Sequence, residues 1–136
     1  MPNIEDYAYT MGLEYSIAHE QSFIKVSVSG TPDYLSIHRV WSAVAQACDT
    51  HDCRNVLGES DLDLPISITD AYEHDSLFQA LGITPDYRIA WAEKNSEAKE
   101  VARFIETVLL NRGRVKGHVF DNISEARLWL EAGANE

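Results

Sequence analysis

The stretch Gly117-His118-Val119-Phe120-Asp121-Asn122-Ile123-Ser124-Glu125-Ala126-Arg127-Leu128-Trp129-Leu130 decides how this chain reads. Its opening residues form a β-rich run. Its closing residues carry Ala126, Trp129 and Leu130 at helical spacing, and Asn122 stands three residues before Glu125. That is the spacing of a capping box, with Asn as the cap. The stretch therefore predicts a strand, a capped turn and a short final helix with an aromatic anchor. It describes an architecture and supplies no reaction.

The same alternation continues upstream. Asn95-Ser96 caps a predicted helix whose stripe is Ala98, Val101, Ala102, Ile105, Val108 and Leu109, and Asn111-Arg112-Gly113 stops it. Residues 87–93 before it read as a strand with Ile89 and Trp91 on one face. A further helix is expected from Ser67 or Thr69 to a C′ glycine at Gly82, with Ala71, Leu77, Phe78 and Leu81 as its apolar face and Tyr72 beside them. Residues 59–68 are polar and punctuated by Pro65, so they are expected to be a loop, after a short strand at 54–58. Tyr34, Ile37, Trp41, Val44 and Cys48 recur at helical spacing and predict a helix ending near Thr50. Thr31 is its expected N-cap, with Pro32 at the first helical position. Residues 15–19 and 23–29 are β-rich runs around Glu20-Gln21-Ser22, and Ile24, Val26 and Val28 alternate with Lys25 and Ser27, which argues a hairpin.

Residues 1–12 show no period and are read as an N-terminal extension, with residues 13–136 as a single domain. The order is β-β-α-β-α-β-α-β-α. Strands alternating with helices imply an α/β fold with a mixed, mainly parallel sheet of about five strands covered by helices.

Composition narrows the function classes. The chain has 136 residues, 45% of them apolar and 24% charged, which suits one ordinary core. No apolar run approaches the roughly 20 residues of a membrane span. The first residues are acidic and lack the basic and apolar regions of a signal peptide, so a cytoplasmic protein is expected. Free thiols at Cys48 and Cys53 are expected in such a reducing compartment. The net charge of −11 would repel nucleic acid and anionic membrane surfaces. Residues 55–87 hold no Lys or Arg, yet carry Glu59, Asp61, Asp63, Asp70, Glu73, Asp75 and Asp86. Such a segment is either a solubilising face or a docking surface for a basic partner.

From about residue 14 to residue 130 the chain resembles the STAS-like (anti-sigma-factor-antagonist-like) family of small bacterial proteins, mostly of unknown function. The residues that carry the resemblance are Tyr87-Arg88-Ile89-Ala90-Trp91-Ala92, the helix over 97–110, and residues 119–130. The resemblance implies a switch or interaction module without catalytic machinery. Better-known members of the fold are phosphorylated on a Ser or Thr at the start of the second helix. The matching region here is Leu64-Pro65-Ile66-Ser67-Ile68-Thr69-Asp70, which lacks the Asp-Ser pair and following glycine of those switches. Ser67 and Thr69 are the phospho-acceptors it leaves, placed where a helix N-terminus favours a phosphate. Asp63, Asp70 and Glu73 would repel that phosphate, and capping is the plainer role for both hydroxyls.

Other chemistries find little support. Cys48-Asp49-Thr50-His51-Asp52-Cys53 lacks a fourth metal ligand at suitable spacing, and Cys48 falls on an apolar face. Asp61-Leu62-Asp63 lacks the oxygen ligands and turning glycine of a calcium loop. His19, His38, His74 and His118 are scattered, and His74 lies between Glu73 and Asp75, whose side chains point elsewhere on a helix. No Gly-x-Ser-x-Gly, Gly-x-Gly-x-x-Gly or phosphate-loop motif occurs. No cofactor or metal is expected.

The first expectation is therefore a non-enzymatic regulatory or protein-interaction module, binding a protein partner or itself as a homodimer. Its contact surface would be Asp61, Asp63, Asp70, Glu73 and Asp75. The alternative is a pocket for a small hydrophobic ligand or lipid around Trp41, Phe78 and Trp91, with Phe104, Trp129, Tyr34 and Tyr72 as further aromatics. An enzyme with an unrecognised carboxylate and His site is the third reading.

Overall fold

A computed structural model describes residues 12–134. The N-terminal extension read over 1–12 lies, except for Gly12, outside the described residues. Nine elements follow the predicted order: β1 (Leu13–Glu20), β2 (Phe23–Gly30), α1 (Tyr34–His51), β3 (Asn55–Leu62), α2 (Ile68–Leu81), β4 (Arg88–Glu93), α3 (Ser96–Asn111), β5 (Lys116–Phe120) and α4 (Ile123–Ala134). The protein is α/β. Its sheet runs β1-β2-β3-β4-β5, with β1 antiparallel to β2 and the other pairs parallel.

This sequential order places the helices. Each parallel step moves one strand in the same direction, so right-handed crossovers bring α1, α2 and α3 to one face. There Ile24, Val26, Val28, Val56 and Ile89 of the strands meet Ile37, Val40 and Val44 of α1, Leu77 and Phe78 of α2, and Ala98 and Leu109 of α3. Full burial of a side chain such as Phe78 contributes roughly 2–3 kcal/mol. α4 follows the last strand and folds to the opposite face, where Ala126 and Leu130 pack on Phe23, Leu57 and Ala90. Trp129 lies there too, under the Arg88 guanidinium, which is 4.3 Å from its ring centre.

Two local expectations are corrected. Thr31 does not cap α1. Asp33 does, accepting from the Ser36 amide at 2.9 Å while its own amide donates to the Ser36 hydroxyl at 3.3 Å. This reciprocal closure satisfies two open donors, which a lone Thr31 hydroxyl cannot do. Thr31 instead donates to Asp63 Oδ2 at 3.1 Å. The expected loop over 59–68 begins only after Leu62, because β3 continues through Glu59, Ser60, Asp61 and Leu62, paired to Ser27–Gly30 of β2. Through Ser60 the strand pairs with β4 as well as β2, and its pleat turns Ser60 and Leu62 toward the helices α1–α3 and Asp61 toward the opposite face.

Candidate functional site: an apolar cavity under three helices

Between the sheet and α1–α3 lies a cavity of about 120 Å³. Its centre is aromatic. Trp41 of α1 meets Phe78 of α2 edge-on at 4.7 Å and Trp91 of β4 at 5.4 Å, the offset and edge geometries that aromatic rings favour. Trp41, Phe78 and Trp91 thus converge as the sequence suggested. The other aromatics do not join them. Tyr72 packs on Phe104 at 5.1 Å on the outer side of α2 and α3, Tyr34 is exposed beside His38, and Trp129 is on the far face of the sheet.

Gly58 makes room for the Trp91 ring. The indole lies directly over this β3 residue, and any Cβ there would overlap it. The far end of the ring is held by a chain of polar groups. Trp91 Nε1 donates to Ser60 Oγ at 2.8 Å, and the Ser60 hydroxyl donates to Glu93 Oε1 at 2.5 Å. Glu93 Oε2 accepts from the Leu62 amide at 3.0 Å and the Asn95 amide at 2.9 Å. Asn95 in turn caps α3 through Oδ1 and donates to the Leu62 carbonyl at 2.7 Å. The C-terminal ends of β3 and β4 and the start of α3 are therefore stitched by one buried carboxylate, 2% exposed, whose charge is met by three donors. Glu93 is a structural acceptor with its oxygens already occupied.

His74 also lines the cavity. It is 3% exposed, and its Nδ1 lies 2.8 Å from the Asp70 carbonyl oxygen. Burial pushes its pKa below the ordinary imidazole value, opposed by the backbone hydrogen bonds to Asp70 and Ala71 and by the Asp70 charge. Glu106 and His118 complete the polar lining, with Glu106 Oε1 accepting from the Val119 amide at 2.6 Å. No Lys or Arg lines the cavity.

Sequence reasoning missed Ser60, His74 and Glu93, although the period held the signal. His74 falls in the series Ala71, His74, Asp75, Phe78, the i, i+3, i+4, i+7 stripe of a buried face. Glu93 continues the alternation Ile89, Trp91, Glu93. Being polar, these residues do not register in a search for apolar stripes.

The acidic segment divides. Asp61, Asp63 and Glu73 are exposed, and Asp70 is partly so. Asp75 is corrected. It is 7% exposed, with Oδ1 2.8 Å from Arg114 Nε and Oδ2 3.5 Å from Arg112 NH1, so it ties α2 to the segment before β5 and cannot serve as a contact for a partner. Ser67 is the N-cap of α2, accepting from the Asp70 amide at 3.1 Å, and both Ser67 and Thr69 are exposed in the first turn. Cys48 and Cys53 are unbridged, and burial, with the Cys53 thiol second, pushes the Cys48 thiol up to about 12. Among the described residues no group of three or more His, Cys, Asp or Glu is arranged to hold a metal, and no helix is long and apolar enough to cross a membrane.

Fold and site together define an α/β domain with an aromatic-walled cavity on the helix-covered side of its sheet. No protein-family model, curated protein or solved structure matches the chain.

Proposed function

We propose that this chain is a STAS-like, non-enzymatic cytoplasmic module that binds a small, largely apolar molecule between its sheet and α1–α3. The observation that carries the reading is the convergence of Trp41, Phe78 and Trp91 around a cavity of about 120 Å³. Well-packed interiors seldom leave voids much larger than a water molecule, so a space of this size under three aromatic rings is suited to an occupant. The order of elements and the resemblance of residues 87–92 and 119–130 support the STAS-like assignment. Ser60 gives its proton to a carboxylate that three donors hold in place, and His74 has no carboxylate orienting its Nδ1.

Native mass spectrometry of the full chain purified from cells is expected to show a bound small molecule that is lost on denaturation. Ala102→Phe, which projects a ring from α3 into the same space, is expected to lose it while keeping the wild-type circular dichroism. Bare wild-type protein that also fails to bind toluene would rule the reading out.

A second reading has its own observation. Leu64, Ile68 and Tyr72 are exposed on the loop and helix that also present Asp63 and Glu73. Exposed apolar side chains in an acidic stretch of chain are suited to a basic protein partner.

A further inference from the structure

The walls of the cavity restrict the chemistry of what enters it, on the premise that the cavity is a binding site. Its volume of about 120 Å³ is a little below the roughly 150 Å³ void that accommodates one benzene. The occupant is therefore about the size of a single small ring. The donor and acceptor inventory is equally narrow. A carbonyl oxygen only accepts, so the bond to Asp70 places the proton of the His74 imidazole on Nδ1. Nε2 is left as a bare lone pair, and burial keeps the ring neutral. Among the described residues Nε2 has no hydrogen-bond partner. Arg88 Nε is the one fully dry side-chain atom without a partner among those residues, so His74 Nε2 borders accessible space. His74 lines the cavity, and with Nδ1 turned back to the Asp70 carbonyl, Nε2 is the nitrogen left to meet an occupant.

Charge removes further classes. Glu93 and Glu106 line the cavity with no Lys or Arg to offset them, so an anionic ligand would meet repulsion and no ion pair. Walls made mainly of Trp41, Phe78, Trp91 and aliphatic side chains disfavour any ion taken out of water.

We infer that the cavity takes an uncharged, ring-sized molecule bearing one hydroxyl or N–H group, which donates to His74 Nε2. Phenols are the simplest members of the class. The ring packs against Trp41 and Trp91, and the donor satisfies an acceptor that the fold leaves open to it.

The test titrates the full chain by calorimetry with phenol, with toluene, which has the same number of non-hydrogen atoms and no donor, and with benzoate. Phenol and toluene are expected to bind and benzoate is not. His74→Phe is expected to lower the ratio of phenol to toluene affinity about tenfold, a comparison in which the hydration of the two probes cancels. In the wild type the ¹⁵N resonance of His74 Nε2 is expected to shift with phenol and to stay in place with toluene, a readout that does not depend on the variant folding. An unchanged ratio, or an Nε2 resonance indifferent to phenol, overturns the donor assignment and leaves toluene binding to support the cavity. Benzoate binding as tightly as phenol overturns the uncharged class. If neither phenol nor toluene binds, the cavity reading fails and the assignment fails with it.

Discussion

Three polar residues, Ser60, His74 and Glu93, occupy positions that a helical or strand period assigns to the core. Each is tolerable there because its hydrogen bonds are local and strong. Ser60 both donates and accepts, Glu93 collects three donors, and His74 donates back to a carbonyl one turn earlier. His74 also makes stability depend on pH. The folded state holds it neutral with a depressed pKa, whereas in the unfolded chain it titrates near its ordinary value of about 6.5. Below that pH the unfolded state binds the additional proton. The stabilisation is thus complete above the unfolded value and is lost as pH falls toward the folded one. The melting temperature of the wild type is expected to drop more steeply from pH 7 to pH 5 than that of His74→Gln. Parallel slopes in differential scanning calorimetry would remove this role.

Chemically identical residues have different fates once they belong to elements. Asp61 and Asp75 sit in the same Lys- and Arg-free segment, and nothing in their neighbours distinguishes them. Asp61 is on the outward pleat at the end of β3, whereas Asp75 is on the inner stripe of α2, where it meets Arg112 and Arg114 from beyond the end of α3. The arginines are nearly forty positions away, so no local pattern discloses the pairing. Asp75→Asn is expected to cost about 2 kcal/mol in urea unfolding, because it leaves the Arg114 guanidinium half-buried beside a neutral partner. Asp61→Asn is expected to stay within about 0.5 kcal/mol. Equal costs would mean that Arg114 finds its stability elsewhere. The length of β3 has the same logic. Glu59-Ser60-Asp61 reads as loop by composition, yet pairing with β2 throughout, and with β4 at Glu59 and Ser60, makes it strand. The α2 boundaries, by contrast, were legible, since Ser67 and Gly82 are the cap and stop residues their chemistry suggests, Gly82 with φ 74°.

For the whole molecule, the strict strand order gathers three helices on one face and so creates the cavity. With a net charge of −11 and Asp61, Asp63 and Glu73 exposed, a partner that docks on these acids should be basic. Replacing Asp61, Asp63 and Glu73 with Lys together is expected to release any basic partner recovered in pull-downs, and raised salt is expected to weaken the wild-type interaction. Recovery that survives both changes would dismiss the acidic surface as the contact. Asp75 belongs outside this set, since reversing it would threaten the fold itself.

The amino-acid sequence alone determined the nine elements in order and the α/β class, because periods of 2 and 3.6 and the capping residues act over a few positions. It also indicated three of the rings that meet in the cavity. Which polar residues join the interior, where Asp75 finds its arginines and how far β3 extends were decided by tertiary structure. Those outcomes depend on partners remote along the chain, and a buried charge or imidazole is stable only where the assembled fold supplies its hydrogen bonds.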